Sequence, residues 1–69
     1  MLIDRQIPAQ GHVVRIVTEL SAVGWDVREE LDSMTVHAEH YNDWHRVERA
    51  MDRLEREVRN GGFNVAADR

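Results

Sequence analysis

The stretch "AQGHVVRIVTELSAVG", residues 9–24, decides the fold. At 100° per residue Val13, Ile16, Val17, Leu20 and Val23 fall in one arc, with Val14 at its edge. Arg15, Thr18, Glu19 and Ala22 fall opposite, and Gly24 is suited to a C-cap. The pattern predicts an amphipathic helix. The same residues are rich in Val, Ile and Thr, and Gly11–Leu20 as a strand is the alternative.

Outward from this stretch the patterns change. On its N-terminal side "LIDRQI", residues 2–7, predicts a short strand ended by Pro8, although Arg5 interrupts Ile3 and Ile7. On its C-terminal side "WDVREELDSMTVHAE", residues 25–39, alternates with period two and predicts a hairpin. With Asp32 and Ser33 as a two-residue loop, Leu31 faces Met34, Val27 faces Ala38 and Trp25 faces His40. Glu29 is the misfit, inward and opposite Val36; a bulge near Arg28–Glu30 is expected to turn it outward.

"NDWHRVERAMDRLEREVRNGG", residues 42–62, predicts a second helix. Asn42 or Asp43 caps it; Trp44, Val47, Met51, Leu54 and Val58 form its apolar stripe, Ala50 borders it, and Gly61-Gly62 stops it. "FNVAA", residues 63–67, then predicts a last strand with Phe63, Val65 and Ala67 on one face. The expected order is βαββαβ: an α+β, two-layer sandwich of the ferredoxin-like kind, with two helices on one face of an antiparallel sheet. If the first strand is absent, an αββα core with a trailing strand remains.

A chain of 69 residues is expected to be one small domain, 1–69. At this size only about 60% of the unfolded surface is buried, so a homodimer is a natural way to bury more. There is no cysteine, hence no disulfide and no thiolate chemistry. No apolar run approaches membrane length and the start lacks a signal-peptide pattern, so a cytoplasmic location and no membrane partner are expected. All nine basic residues are Arg, which suggests a GC-rich genome, bacterial or phage. The formal charge of −4 disfavours nucleic acid as a partner.

Three of the four histidines lie in "HAEHYNDWH", residues 37–45. The expected fold gathers Trp25, His40, Tyr41, Trp44 and His45 at one corner, a candidate pocket, with both indoles read as core. A histidine metal site is the second alternative. His37 and His40, three apart on a strand, point to opposite faces and His45 points elsewhere, so no metal and no cofactor are assigned.

Charge is segregated. Residues 26–39 hold five acids against Arg28 alone, which accounts for the net charge. Asp26, Glu30 and Glu39 are expected on the outer face of the sheet, and that face lacks the rings and basic neighbours of an RNA-reading sheet. On the second helix Arg46, Arg49, Arg53 and Arg56 fall within about 80° by helical geometry. Asp52–Arg56 and Glu55–Arg59 are spaced to pair. The arginine ridge and the acidic hairpin are the candidate interaction surfaces.

"DRQIPAQGHVVRIVTELSAVGWDV", residues 4–27, resembles the opening of ACT regulatory domains. In that family a strand ends in an Asp-rich turn, a Gly precedes a Val-rich helix and a Gly-aromatic pair starts the next strand. Here Pro8 and Gly11 are separated, where the family has Pro-Gly. The resemblance implies an effector turn around Gly11 at a dimer interface. No nucleophile–base pair, phosphate loop or metal motif is readable, so catalysis is not expected. The reading that fits most residues is a small non-enzymatic protein–protein interaction or regulatory module, such as an accessory bacterial or phage protein; an ACT-like ligand sensor is the alternative.

Overall fold

The computed structural model describes residues 1–9 and 11–61. The stretch read as the first helix is the first correction: His12–Ser21 is extended. Four strands, β1 (Leu2–Ala9), β2 (His12–Ser21), β3 (Gly24–Leu31) and β4 (Met34–Tyr41), precede one helix, α1 (Trp44–Arg59). They form an antiparallel sheet in the order β1-β2-β3-β4. The fold is therefore ββββα, with no helix between the first two strands, and the ferredoxin-like βαββαβ expectation is overturned. The expected last strand at residues 63–67 lies outside the described residues.

The physical reason lies in what flanks β2. Val14, Ile16 and Thr18 alternate on one face and are at most 1% exposed. They pack under α1 in the core that also holds Ile7, Val27, Val47, Met51, Leu54 and Val58. Each fully buried aliphatic side chain contributes about 1.5–3 kcal/mol. On the other face Val17 is only 2% exposed. Arg28 and Asp4 lie directly across from it on β3 and β1, and Arg15 and Glu19 flank it on its own strand. These charged side chains screen it from solvent. A central strand covered on both faces carries apolar residues on both, which is how this one matched a helical arc.

Three tight turns join the strands. Ala9 pairs with His12, Ser21 with Gly24 and Leu31 with Met34. Asp32 and Ser33 both take positive φ, 48° and 75°, the mirror-image turn that matches strand twist. The expected two-residue loop is thus present, without a Gly. Gly24 sits at φ +135°, and a Cβ there would lie 2.5 Å from the Tyr41 carbonyl oxygen.

The register arranges the helix-side face in cross-sheet rows. Leu20, Trp25 and Tyr41 form one row; Ile3, Thr18, Val27 and Glu39 the next; Arg5, Ile16, Glu29 and His37 the third; Ile7, Val14, Leu31 and Met34 the last. The expected irregularity does occur between Glu29 and Glu30. It is β4 that carries the extra residue, Val36, because His37 pairs with Glu29 and Thr35 with Glu30. Glu29 therefore stays inward, 8% exposed. The bulge instead flips the second half of β4, so Tyr41, not His40, faces Trp25.

α1 begins where Asp43 caps it, its carboxylate accepting from the His45 amide at 3.0 Å. Val47, Ala50, Met51, Leu54 and Val58 are buried against the sheet. The chain leaves the helix through Asn60 and Gly61, whose amides donate to Arg56 and Val58 carbonyls. No helix among the described residues is long and apolar enough to cross a membrane.

Candidate functional site

The corner expected around "HAEHYNDWH" is divided by the sheet. Trp25, Tyr41 and Trp44 are half-buried on the helix side, the indole centroids 5.6 Å apart and tilted by 55°. They pack against the core. The Trp25 Nε1 is buried without a hydrogen-bond partner. His40 lies on the opposite face, directly across from Asp26. His45 is exposed on α1.

His40 instead staples the β2–β3 turn to the end of β4. Its Nδ1 lies 2.7 Å from Asp26 Oδ1. Its Nε2 lies 3.0 Å from the Val23 carbonyl oxygen and 3.2 Å from Asn42 Oδ1. All three partners are acceptors. A neutral imidazole has one N–H and satisfies one side; the imidazolium donates from both. The Asp26 hydrogen bond, then the Val23 carbonyl and Asn42, raise the His40 pKa above its ordinary value. A matching pair closes the other rim. His12 Nδ1 lies 2.7 Å from Asp32 Oδ2, and Asp32 Oδ1 accepts from the Val13 amide at 3.1 Å. These contacts hold the Asp32 carboxyl below its ordinary value.

No three His, Asp or Glu side chains among the described residues converge as metal ligands. The ACT resemblance also loses its structural counterpart, since Gly11 is followed by a strand and lies in a hairpin turn.

The acidic outer face is not as expected either. Arg15 and Glu19, placed on a helix by the sequence reading, sit on this face because β2 is a strand. Arg15 bonds Asp4 at 2.6 Å and reaches Glu30 at 3.4 Å. Arg28 reaches Glu30 at 3.3 Å and Glu19 at 3.1 Å. The five side chains form one chain over Val17. The hydrogen bond from Arg15 holds the Asp4 carboxyl below its ordinary value, and Glu19 followed by Glu30 raises the Arg28 guanidinium. Glu30 is thereby neutralised, Asp26 is engaged with His40, and Glu39 pairs with Val27 on the helix side. Asp26, Glu30 and Glu39 do not make a joint surface.

The arginine ridge keeps its place. Arg46, Arg49, Arg53 and Arg56 are all exposed on α1, away from the sheet. The expected Glu55–Arg59 pair forms at 2.9 Å. The expected Asp52–Arg56 pair does not, because Arg5 on β1 takes both Asp52 and Glu55, at 3.3 and 2.9 Å. Among the described residues none of the four ridge arginines has an ion-pair partner, whereas Arg5, Arg15, Arg28 and Arg59 each do.

Glu29, which a bulge was expected to turn outward, is instead a buried charge. Glu29 sits beside Ile16 and His37 in its row. Desolvation raises its pKa; nearby His37 opposes the shift and Glu57 adds to it. The alternation that placed it inward was the available signal. Comparison with protein-family models, with curated proteins and with solved structures finds no match to this chain.

Proposed function

We propose that this chain is a non-enzymatic interaction module whose α1 docks on an acidic surface of another protein. The observation that carries the reading is the contrast among the arginines. Four guanidinium groups on the solvent side of α1 have no carboxylate partner among the described residues, although the same helix carries Glu48, Asp52, Glu55 and Glu57. Arg5 diverts two of those acids toward the sheet and leaves the ridge uncompensated. Arg46, Arg49, Arg53 and Arg56 present planar, always-charged forks on a rigid rod, the geometry that binds carboxylates in pairs. Lining one side of a helix, they also steer an acidic partner at long range, an effect that salt weakens.

The test is affinity capture from the source cells with the intact chain and with the Arg49→Glu, Arg53→Glu double variant. Circular dichroism should show the same helix content for both, because neither residue touches the core. A specific acidic protein retained by the parent chain, released by salt and not captured by the variant, is the expected result. Equal capture by both chains would remove the ridge from the interface.

A further inference from the structure

We infer that two copies of this chain join edge to edge through β4, antiparallel about a two-fold axis that sets Ala38 of one copy against Ala38 of the other. This surface is separate from the arginine ridge and stands or falls without it. β4 is an outer strand of the sheet, and no described strand pairs with its outer edge. Seven of its eight residues are exposed, Tyr41 being the exception. An open row of backbone donors and acceptors is a template for another strand. Edge strands in many proteins are protected by charged side chains that would repel a second strand. The charges of β4 do the opposite. His37 and Glu39 share the helix-side face, 3.9 Å apart and of opposite chemistry.

The two-fold axis selects one register. It must stand perpendicular to the sheet, which keeps both helices on one side and opposes residues of the same face. Centred on Ala38, it sets His37 against Glu39 of the second copy, twice, and Val36 against His40. An imidazole N–H donates to a carboxylate in either protonation state. Centred on Glu39, it would oppose two carboxylates; centred on His37, it would oppose two imidazoles and lose both pairs. Directly opposite side chains are the unit by which strand pairs discriminate register. At the axis the small Ala38 side chains let the strands approach. The other edge is less suited. Pro8 removes a donor from β1, and centring that strand on Arg5 opposes two guanidinium groups.

The assembly is tested with the intact 69-residue chain by sedimentation equilibrium across a concentration series. A monomer–dimer equilibrium is expected. His37→Glu should raise the dissociation constant about tenfold or more by opposing two carboxylates at each pair. The charge swap His37→Glu with Glu39→His should restore it. Because His37→Glu also sets a second carboxylate beside Glu29, Ala38→Cys gives an independent measure. The chain has no other cysteine, and diamide should link Ala38→Cys, but not His40→Cys, into a covalent dimer. The Arg49→Glu, Arg53→Glu variant should associate like the parent chain. A monomer at every concentration, a swap that fails to restore association while Ala38→Cys stays unlinked, or association lost only in the arginine variant would each overturn the β4 interface.

Discussion

β2 and α1 are built from the same kind of signal and end in different states. Each offers an arc of apolar side chains at helical spacing. In α1 everything outside the arc is charged, polar or small, β-branched residues are confined to Val47 and Val58, and Asp43 stands ready as a cap. In β2 the residues outside the arc include Val14 and Thr18, both buried. Five of its first seven residues are β-branched, and Gly11 ahead of it takes φ +84°, the turn conformation. The lesson is that the composition of the opposite face separates the two periods. A stretch that satisfies both 3.6 and 2 belongs to whichever state finds partners for both of its faces.

The contrast breaks hardest at Ile16. As a helix residue it would face the sheet from outside it; as the centre of β2 it lies between β1 and β3 beneath α1 and is 0% exposed. Ile16→Ala should lose about 2–5 kcal/mol, enough to leave much of so small a domain unfolded. Urea unfolding followed by circular dichroism reads this directly, and a loss under about 1 kcal/mol would place Ile16 outside the core.

Gly24 comes next. As a helix C-cap it would tolerate Ala at modest cost, but in the hairpin an added Cβ meets Tyr41 and Asn42. Gly24→Ala should destabilise by about 1–3 kcal/mol, against about 1 kcal/mol for Gly11→Ala, where the Cβ would meet nothing within 4 Å. Equal effects in thermal melts would deny the close approach.

Thr18 sharpens the comparison with the opposite sign. Its hydroxyl is buried without a partner. Thr18→Val should therefore stabilise by about 1 kcal/mol, whereas on a helix face turned to solvent it would do nothing. Glu29→Gln should stabilise by less than about 1 kcal/mol at neutral pH, nearby solvent screening part of the burial penalty. The raised pKa of Glu29 means its penalty appears as pH rises past the unfolded value. The gain from Gln should vanish in acid, where the parent carboxyl is neutral. A gain that persists there would point to packing.

The smallest effect is the His40 staple. Its folded pKa is raised, so its contribution is full below the unfolded value and is lost as pH rises through the folded one. Ring resonances of His40 should titrate above the ordinary histidine range, and Asp26→Asn should bring them down. An unshifted titration in both chains would dissolve the staple. The carboxyls of Asp4, Asp32 and Glu55 run the other way, contributing above their unfolded values and losing that contribution in acid.

Of the candidate residues, the placement of the arginine ridge was legible because it depends on one element. The spacing of Arg46, Arg49, Arg53 and Arg56 places them on one side of α1 whatever the sheet does. The acidic face was not legible, because it depends on neighbours. Arg15 reaches Glu30 only when β2 lies beside β3, and Arg5 reaches Asp52 only when β1 lies beneath α1. The β4 assignment failed at one residue: Val36 shifts the pairing from a sum of 65 at Leu31–Met34 to 66 at Glu29–His37, which exchanges faces for Glu39 and His40.

By itself the sequence determined α1, its stripe and a cap at Asn42 or Asp43, and a hairpin over residues 25–39 with its turn at Asp32-Ser33, but not the pairing beyond Val36. These rest on local periodicity and turn chemistry, which act within a few residues. Tertiary structure alone decided that residues 12–21 are extended, that Val36 bulges, and which carboxylates each arginine holds. In β2 the backbone preference and the apolar pattern pointed to different periods. That conflict is resolved only when strands pair on both edges, a helix covers one face and a row of ion pairs shields the other.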